Sequence, residues 1–173
     1  MPLFSFEGKS PMVHPEAWIA PTASLIGDVV VEARASVWYG VVVRADFGRV
    51  VIREGANVQD NSVIHVGEYG CEVGVGATIG HLCMVHGCTI GAEAIVGNGA
   101  TVLDGAHVGA RTMVAAGAVV TPGTRVPDEV MAVGAPAKRF LPVSESARLF
   151  VEHNPAIYQE LARRHRDGTA EVS

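Results

Sequence analysis

The chain has 173 residues, 49% of them apolar but only 6% aromatic, with 13 basic against 18 acidic side chains for a net charge of −5. That length suits one compact domain. The negative balance gives no electrostatic reason to expect nucleic acid or an anionic membrane as partner, and no apolar run approaches the ~18 residues of a membrane span. Three cysteines, an odd number, argue against a disulfide framework. The opening Met1–Glu7 lacks the basic segment and long apolar stretch of a secretory signal. The expected setting is the cytoplasm.

Val, Ala and Gly fill 71 of the 173 positions, so the core must be built from small and branched aliphatic side chains. Their order is periodic. Starting at Ile19, every sixth residue is Leu25, Val31, Val37 and Val43. The series resumes at Ile52, Val58 and Ile64, then Val73, Ile79 and Val85, and then runs unbroken from Ile90 to Val126. Two residues before each member lies Ala, Ser, Cys, Thr or Val, none larger than valine. A strand sends residues i and i−2 to the same face. Each hexad therefore offers one branched and one small inward residue, and the rest of it turns a corner, often with glycine after the branched residue. Three such strands per coil make a triangular prism with ~18 residues per turn and one hydrogen-bond ladder along its axis. A helix is excluded, because a spacing of six does not follow the 3.6-residue period.

The period breaks three times. The steps from Val43 to Ile52 and from Ile64 to Val73 are nine residues, and that from Val85 to Ile90 is five. Insertions in a solenoid go to its corners, often on the binding face. The segments concerned are Arg44–Arg49, His65–Gly70 and His86–Cys88. Register places Val43, Ile64 and Val85 on one face in successive coils, each followed by an outward residue: Arg44, His65 and His86. His65 and His86 thus stack ~4.8 Å apart at the backbone, close enough for their rings to share a metal ion. His81 lies two residues past Ile79, around a corner, above Asp60 in the coil below. If all three rings bind one ion, His81 comes from a neighbouring subunit, and a threefold axis supplies it. Three neutral imidazoles with an open fourth position make a catalytic zinc arrangement. His14, His107, His153 and His165 read as solvated side chains. Cys71, Cys83 and Cys88 fall in the small inward slot and read as core. Gly74-Val75-Gly76 is explained by the repeat and is no dinucleotide fingerprint.

The expected boundaries are a β-helix over 1–142 and a helical segment over 143–173 packing on it. Ser144 caps a helix through Ala147 and Val151, Asn154-Pro155 breaks it, and Ile157, Tyr158 and Leu161 carry a second stretch. From about Arg166 the chain reads as a frayed tail.

The hexads resemble the hexapeptide-repeat proteins, which implies an all-β, left-handed parallel β-helix with a C-terminal α-helix. Within that class, Arg44-Ala45-Asp46, Gln59-Asp60-Asn61, His65 and Gly80-His81-Leu82-Cys83-Met84-Val85-His86 resemble the γ-class carbonic anhydrases and their bacterial homologues. The resemblance implies that His65, His81 and His86 bind zinc (or ferrous iron) at the interfaces of a homotrimer. It further implies an ion pair of Arg44 and Asp46 across the interface, support from Asp60, and orientation of solvent by Asn57 and Gln59. Tyr158 matches an active-site tyrosine of the family. Two departures stand out: Phe47 replaces a glutamate, and the acidic loop is short, leaving Glu68 as the nearby proton carrier. Asp46-Phe47-Gly48-Arg49 resembles the subgroup associated with phenylacetate and carnitine catabolism.

The first expectation for function is therefore reversible hydration of CO2 to bicarbonate by metal-bound hydroxide, a lyase reaction on a small-molecule substrate. Two alternatives stay open. One is metal-dependent hydrolysis of an acyl-CoA thioester, as in the phenylacetate-type subgroup, and the other a catalytically weak β-helix scaffold.

Overall fold

The computed structural model describes residues 2–172, so Met1 and Ser173, the outermost residues of the two expected segments, lie outside the described residues. The chain forms a left-handed parallel β-helix of about 7 turns followed by one helix. Most strands are two or three residues long, because each face of the prism is only one inward pair wide. One face is an 8-stranded sheet. The other two are joined into a 12-stranded sheet by Ser24–Val31 and Val42–Ile52, long strands that bend around the corner between them.

Every member of the periodic series, from Ile19 to Val126, is buried. In the small slot only the first and last residues, Ala17 and Thr124, are partly exposed; Cys71, Cys83 and Cys88 are buried there as free thiols. Adjacent rungs align residue on residue, as in Val43↔Ile64↔Val85↔Val102. Burying each branched side chain contributes about 1.5–3 kcal/mol, and the small slot lets three walls meet without voids. At the C-terminal end Val130–Gly134 adds one more parallel strand, and Ala137–Pro142 returns antiparallel to it.

The helix runs unbroken from Glu145 to Gly168. Ser144 Oγ accepts from the Ala147 backbone N–H at 3.2 Å, as a helix cap does. Two expectations fail here. Pro155 lies inside the helix instead of ending it, and Arg166 belongs to its last turn rather than to a tail. Packing outweighs the lost backbone hydrogen bond. The Pro155 ring seats over Gly76, whose glycine leaves the room, and the preceding Asn154 is buried against Thr78. Farther along, Ala162 completes a second apolar cluster with Trp18, Ala20 and Trp38. His165, expected in solvent, sits half-buried among Trp18, Trp38 and Tyr39 with ring centroids 5.5, 5.0 and 5.8 Å away, and its Nδ1 lies 3.1 Å from the Tyr39 hydroxyl. No helix of the described residues is long and apolar enough to cross a membrane.

Candidate metal centre

Arg44, His65 and His86 form one outward column, paired rung to rung. The two imidazoles face each other, His65 Nδ1 to His86 Nε2, at 2.9 Å. Their remaining nitrogens are each held by a carboxylate: His65 Nε2 lies 2.8 Å from Asp46 Oδ1, and His86 Nδ1 lies 2.8 Å from Asp104 Oδ1. The backbone makes this possible just after His86. Gly87 has φ +51°, and a Cβ there would lie 2.5 Å from Asp104 Oδ1, so a side chain would push the carboxylate off the ring. His81 repeats the pattern on the corner beyond Thr78–Ile79, with its Nδ1 2.9 Å from Asp60 Oδ2. Each of the three rings thus has one nitrogen fixed by a carboxylate, the way metal-binding histidines are oriented; the second nitrogens of His65 and His86 meet each other.

Arg44 reaches Asp46 of its own chain, whereas the family resemblance implies a pair across an interface. Burial pushes the Asp46 carboxyl up, but the hydrogen bond from His65, a backbone hydrogen bond and the Arg44 guanidinium outweigh it and hold the carboxyl below the usual range. Asp46 is therefore ionised and able to orient the His65 ring. Phe47 is 74% exposed, its ring in edge contact with His65 at 6.4 Å between centroids. Glu68 is exposed in the neighbouring loop and has no hydrogen bond to the histidines.

Gln59 and Asn57 are buried around the corner, on the face that carries His81. Gln59 Nε2 donates to Asn57 Oδ1 at 3.1 Å. Gln59, His81 and Tyr158 line one cavity of about 450 Å³ between the prism and the helix, which Ile95, Met113 and Phe150 line with apolar surface. Burial, and then the nearby Asp60 charge, push the Tyr158 hydroxyl above its ordinary pKa, so it stays protonated at neutral pH. The sequence reading missed Asp104, Thr78 and Asn154. Extending the register by one rung past His86 reaches Leu103 and brings Asp104 into view. Asn154 is 76 positions from Thr78, its partner, and carries no periodic signal.

The donor set fits a transition metal. Two nitrogens on a tetrahedral zinc with bonds of ~2.0–2.1 Å are about 3.4 Å apart, so the facing His65 and His86 nitrogens need to part by only about half an ångström. Imidazoles braced by carboxylates suit zinc or iron. Among the described residues, no three His, Cys, Asp or Glu side chains of a single chain converge to hold a metal ion.

The chain is 40% identical over 164 residues to mitochondrial γ carbonic anhydrase 1 of Arabidopsis thaliana, an alignment covering 91% of this chain and 60% of the plant protein. It therefore spans about three-fifths of that relative's length. It is 36% identical to the carnitine operon protein CaiE of Proteus sp. (strain LE138), over 100% of this chain and 88% of that one. The crystal structure of a hexapeptide transferase family protein from Anaplasma phagocytophilum superposes with a TM-score of 0.90 at 39% identity, covering 94% of this chain and 96% of that chain. No family model matches the chain.

Proposed function

Because the chain belongs to the γ-class carbonic anhydrase-like family of hexapeptide-repeat proteins, we propose that it is a metal-dependent enzyme that interconverts CO2 and bicarbonate in the cytoplasm. The observation that carries the reading is the stacked His65 and His86 pair, with one nitrogen of each ring meeting the other's and a carboxylate behind each ring. His65 and His86 of one subunit and His81 of a neighbour in a homotrimer would hold zinc or ferrous iron. When bound, the ion would supply Lewis acidity, lowering the pKa of water to roughly 7.

The chain's own residues do the rest. Asp46, Asp60 and Asp104 orient the three rings and raise their basicity. Gln59 offers a carbonyl oxygen to the attacking water and so fixes its lone pair towards CO2. Asn57 holds Gln59, and the protonated Tyr158 hydroxyl donates to a bicarbonate oxygen. One water and one CO2 give bicarbonate and a proton, and Glu68 or buffer carries the proton away. Arg44 pairs with Asp46 and helps hold its carboxylate in place. The test is metal analysis of the purified oligomer followed by stopped-flow CO2 hydration. Hydration above the protein-free rate, lost in His65→Ala and after chelation, is expected; a metal-loaded protein with no such activity refutes the proposal.

A second reading, thioester hydrolysis, is favoured by the cavity beside His81. Its volume of about 450 Å³ and its apolar wall exceed what a three-atom substrate needs. Water then adds to the acyl carbon and the thiol leaves protonated. Thiol release from acyl-CoA that stops on chelation supports it, and no release with any acyl chain sinks it.

A further inference from the structure

Gln59 is useful to the proposed reaction only if its amide lies the right way round, because its oxygen and nitrogen ends are alike in shape and opposite in hydrogen-bonding sense. Four buried side chains bear on that choice. Gln59 Nε2 donates to Asn57 Oδ1 at 3.1 Å, and Asn57 Nδ2 donates to Thr78 Oγ1 at 2.7 Å. Asn154 Nδ2 arrives from the C-terminal helix and donates to the same hydroxyl oxygen at 2.5 Å. Gln59, Asn57, Thr78 and Asn154 are 4%, 0%, 3% and 2% exposed, so water does not compete for these bonds. With its amino group committed to Asn57, Gln59 leaves its Oε1 to the cavity that it lines with His81 and Tyr158.

We propose that Asn154 is a positioning residue for Gln59: through Thr78 and Asn57 it holds the Gln59 amide with its oxygen towards the cavity. A hydroxyl oxygen has two acceptor positions, and Asn57 and Asn154 fill both on Thr78, so the hydroxyl proton turns away from Asn57. Without the Asn154 donor, one position falls empty and the hydroxyl is no longer held. It can then donate to Asn57 Oδ1, the Asn57 amide turns over, and Gln59 follows, presenting its amino group where the carbonyl stood. The helix is clamped at this rung, because Pro155, the next residue, seats over Gly76. Docking of the C-terminal helix and orientation of a group on the prism are thereby one event. Only the kinetic consequence rests on the proposed function; the orientation itself does not.

Two measurements test it. The first is deuterium exchange of the Gln59 side-chain NH2 in the full-length protein, its NMR signal identified by its loss in Gln59→Ala. Asn154→Leu is expected to speed that exchange at least tenfold while backbone amides of the prism core stay protected; unchanged side-chain exchange overturns the proposal. Should Asn154→Leu fail to fold, Thr78→Ser and Thr78→Val replace it. Serine is expected to keep the slow exchange and valine to lose it, and equal exchange in both overturns the proposal. The second measurement is kinetic. Asn154→Leu is expected to lower kcat for CO2 hydration about tenfold with little change in KM, and to have no further effect in the Gln59→Ala background. An equal loss in both backgrounds marks a general structural role and overturns it. A metal-loaded parent protein with no hydration refutes the proposed function alone, and the exchange result then decides this inference.

Discussion

Mixing two inactive chains gives a number that depends directly on where the three histidines sit. His65 and His86 share one column, whereas His81 stands on the corner beyond Thr78–Ile79, a strand of the other sheet. In the proposed trimer, each centre would take its column from one chain and its third ring from the next. A chain carrying His65→Ala still lends an intact His81, and a chain carrying His81→Ala still lends an intact column. After subunit exchange at equal amounts, a centre is whole when its column comes from the second kind of chain and its third ring from the first. Each draw succeeds about half the time, so about one quarter of the centres are complete. Each variant alone is expected to bind little zinc and hydrate no CO2. The mixture is expected to regain about one quarter of the wild-type rate, greatest at equal amounts and falling off as the product of the two fractions. The assay is stopped-flow hydration with metal analysis, and mass measurement of the intact trimers proves the exchange. Mixed trimers with no recovery would refute a centre shared between chains.

Other consequences are more local. Ile64 is fully buried just inside His65, so Ile64→Ala is expected to cost about 2–5 kcal/mol in urea unfolding, and a loss below about 1 kcal/mol would contradict the packing described. Asp28 is held by Arg49 at 2.9 Å and Lys9 at 3.4 Å. Burial raises its carboxyl pKa, but these partners outweigh it and leave a net lowering. A lowered carboxylate stabilises the fold above its unfolded pKa of about 3.9, and that stability is lost as pH falls through the folded value. The margin of wild type over Asp28→Asn in urea melts is therefore expected to be constant near neutrality and to shrink below about pH 4; a margin that grows on acidification would reverse the sign argued here. A Cβ on Gly80 would lie 2.5 Å from Asn98 Oδ1 and 2.8 Å from the Val96 carbonyl oxygen. Gly80→Ala is expected to cost about 1–3 kcal/mol and to weaken metal uptake by shifting the His81 corner; unaltered stability and uptake would show that the corner yields freely.

The hexad could be read directly because a prism face is too narrow for exceptions: one large residue at an inward position, or one polar residue in the branched slot, would open the coil. The same arithmetic put His65 over His86 and His81 around the corner, where the structure has them. What escaped depended on contacts that no period describes. Pro155 looked like a helix breaker because local geometry says so, and only the bare Gly76 beneath it shows why the helix continues. His165 looked solvated because nothing in its neighbourhood announces Trp18 and Trp38, which come from the opposite end of the chain. Asp104 is within reach of the register, but a carboxylate behind a ring follows from ligand chemistry and not from spacing. Asn154 could be found only once the helix had been laid on the prism.

Rungs that are all alike have no inherent reason to stop at seven turns. Any coil with a bare upper rim invites the next one, whether it comes from the same molecule or another, and growth by that route ends in filaments. Along the 8-stranded face the chain forestalls it by reversing direction. Ala137–Pro142 runs against Val130–Gly134, so the rim there no longer matches the polarity of an incoming first coil, and Lys138 and Arg139 stand exposed on it. A molecule cut off before Val130 would keep its repeats and lose this terminator, turning a closed particle into a monomer for linear assembly.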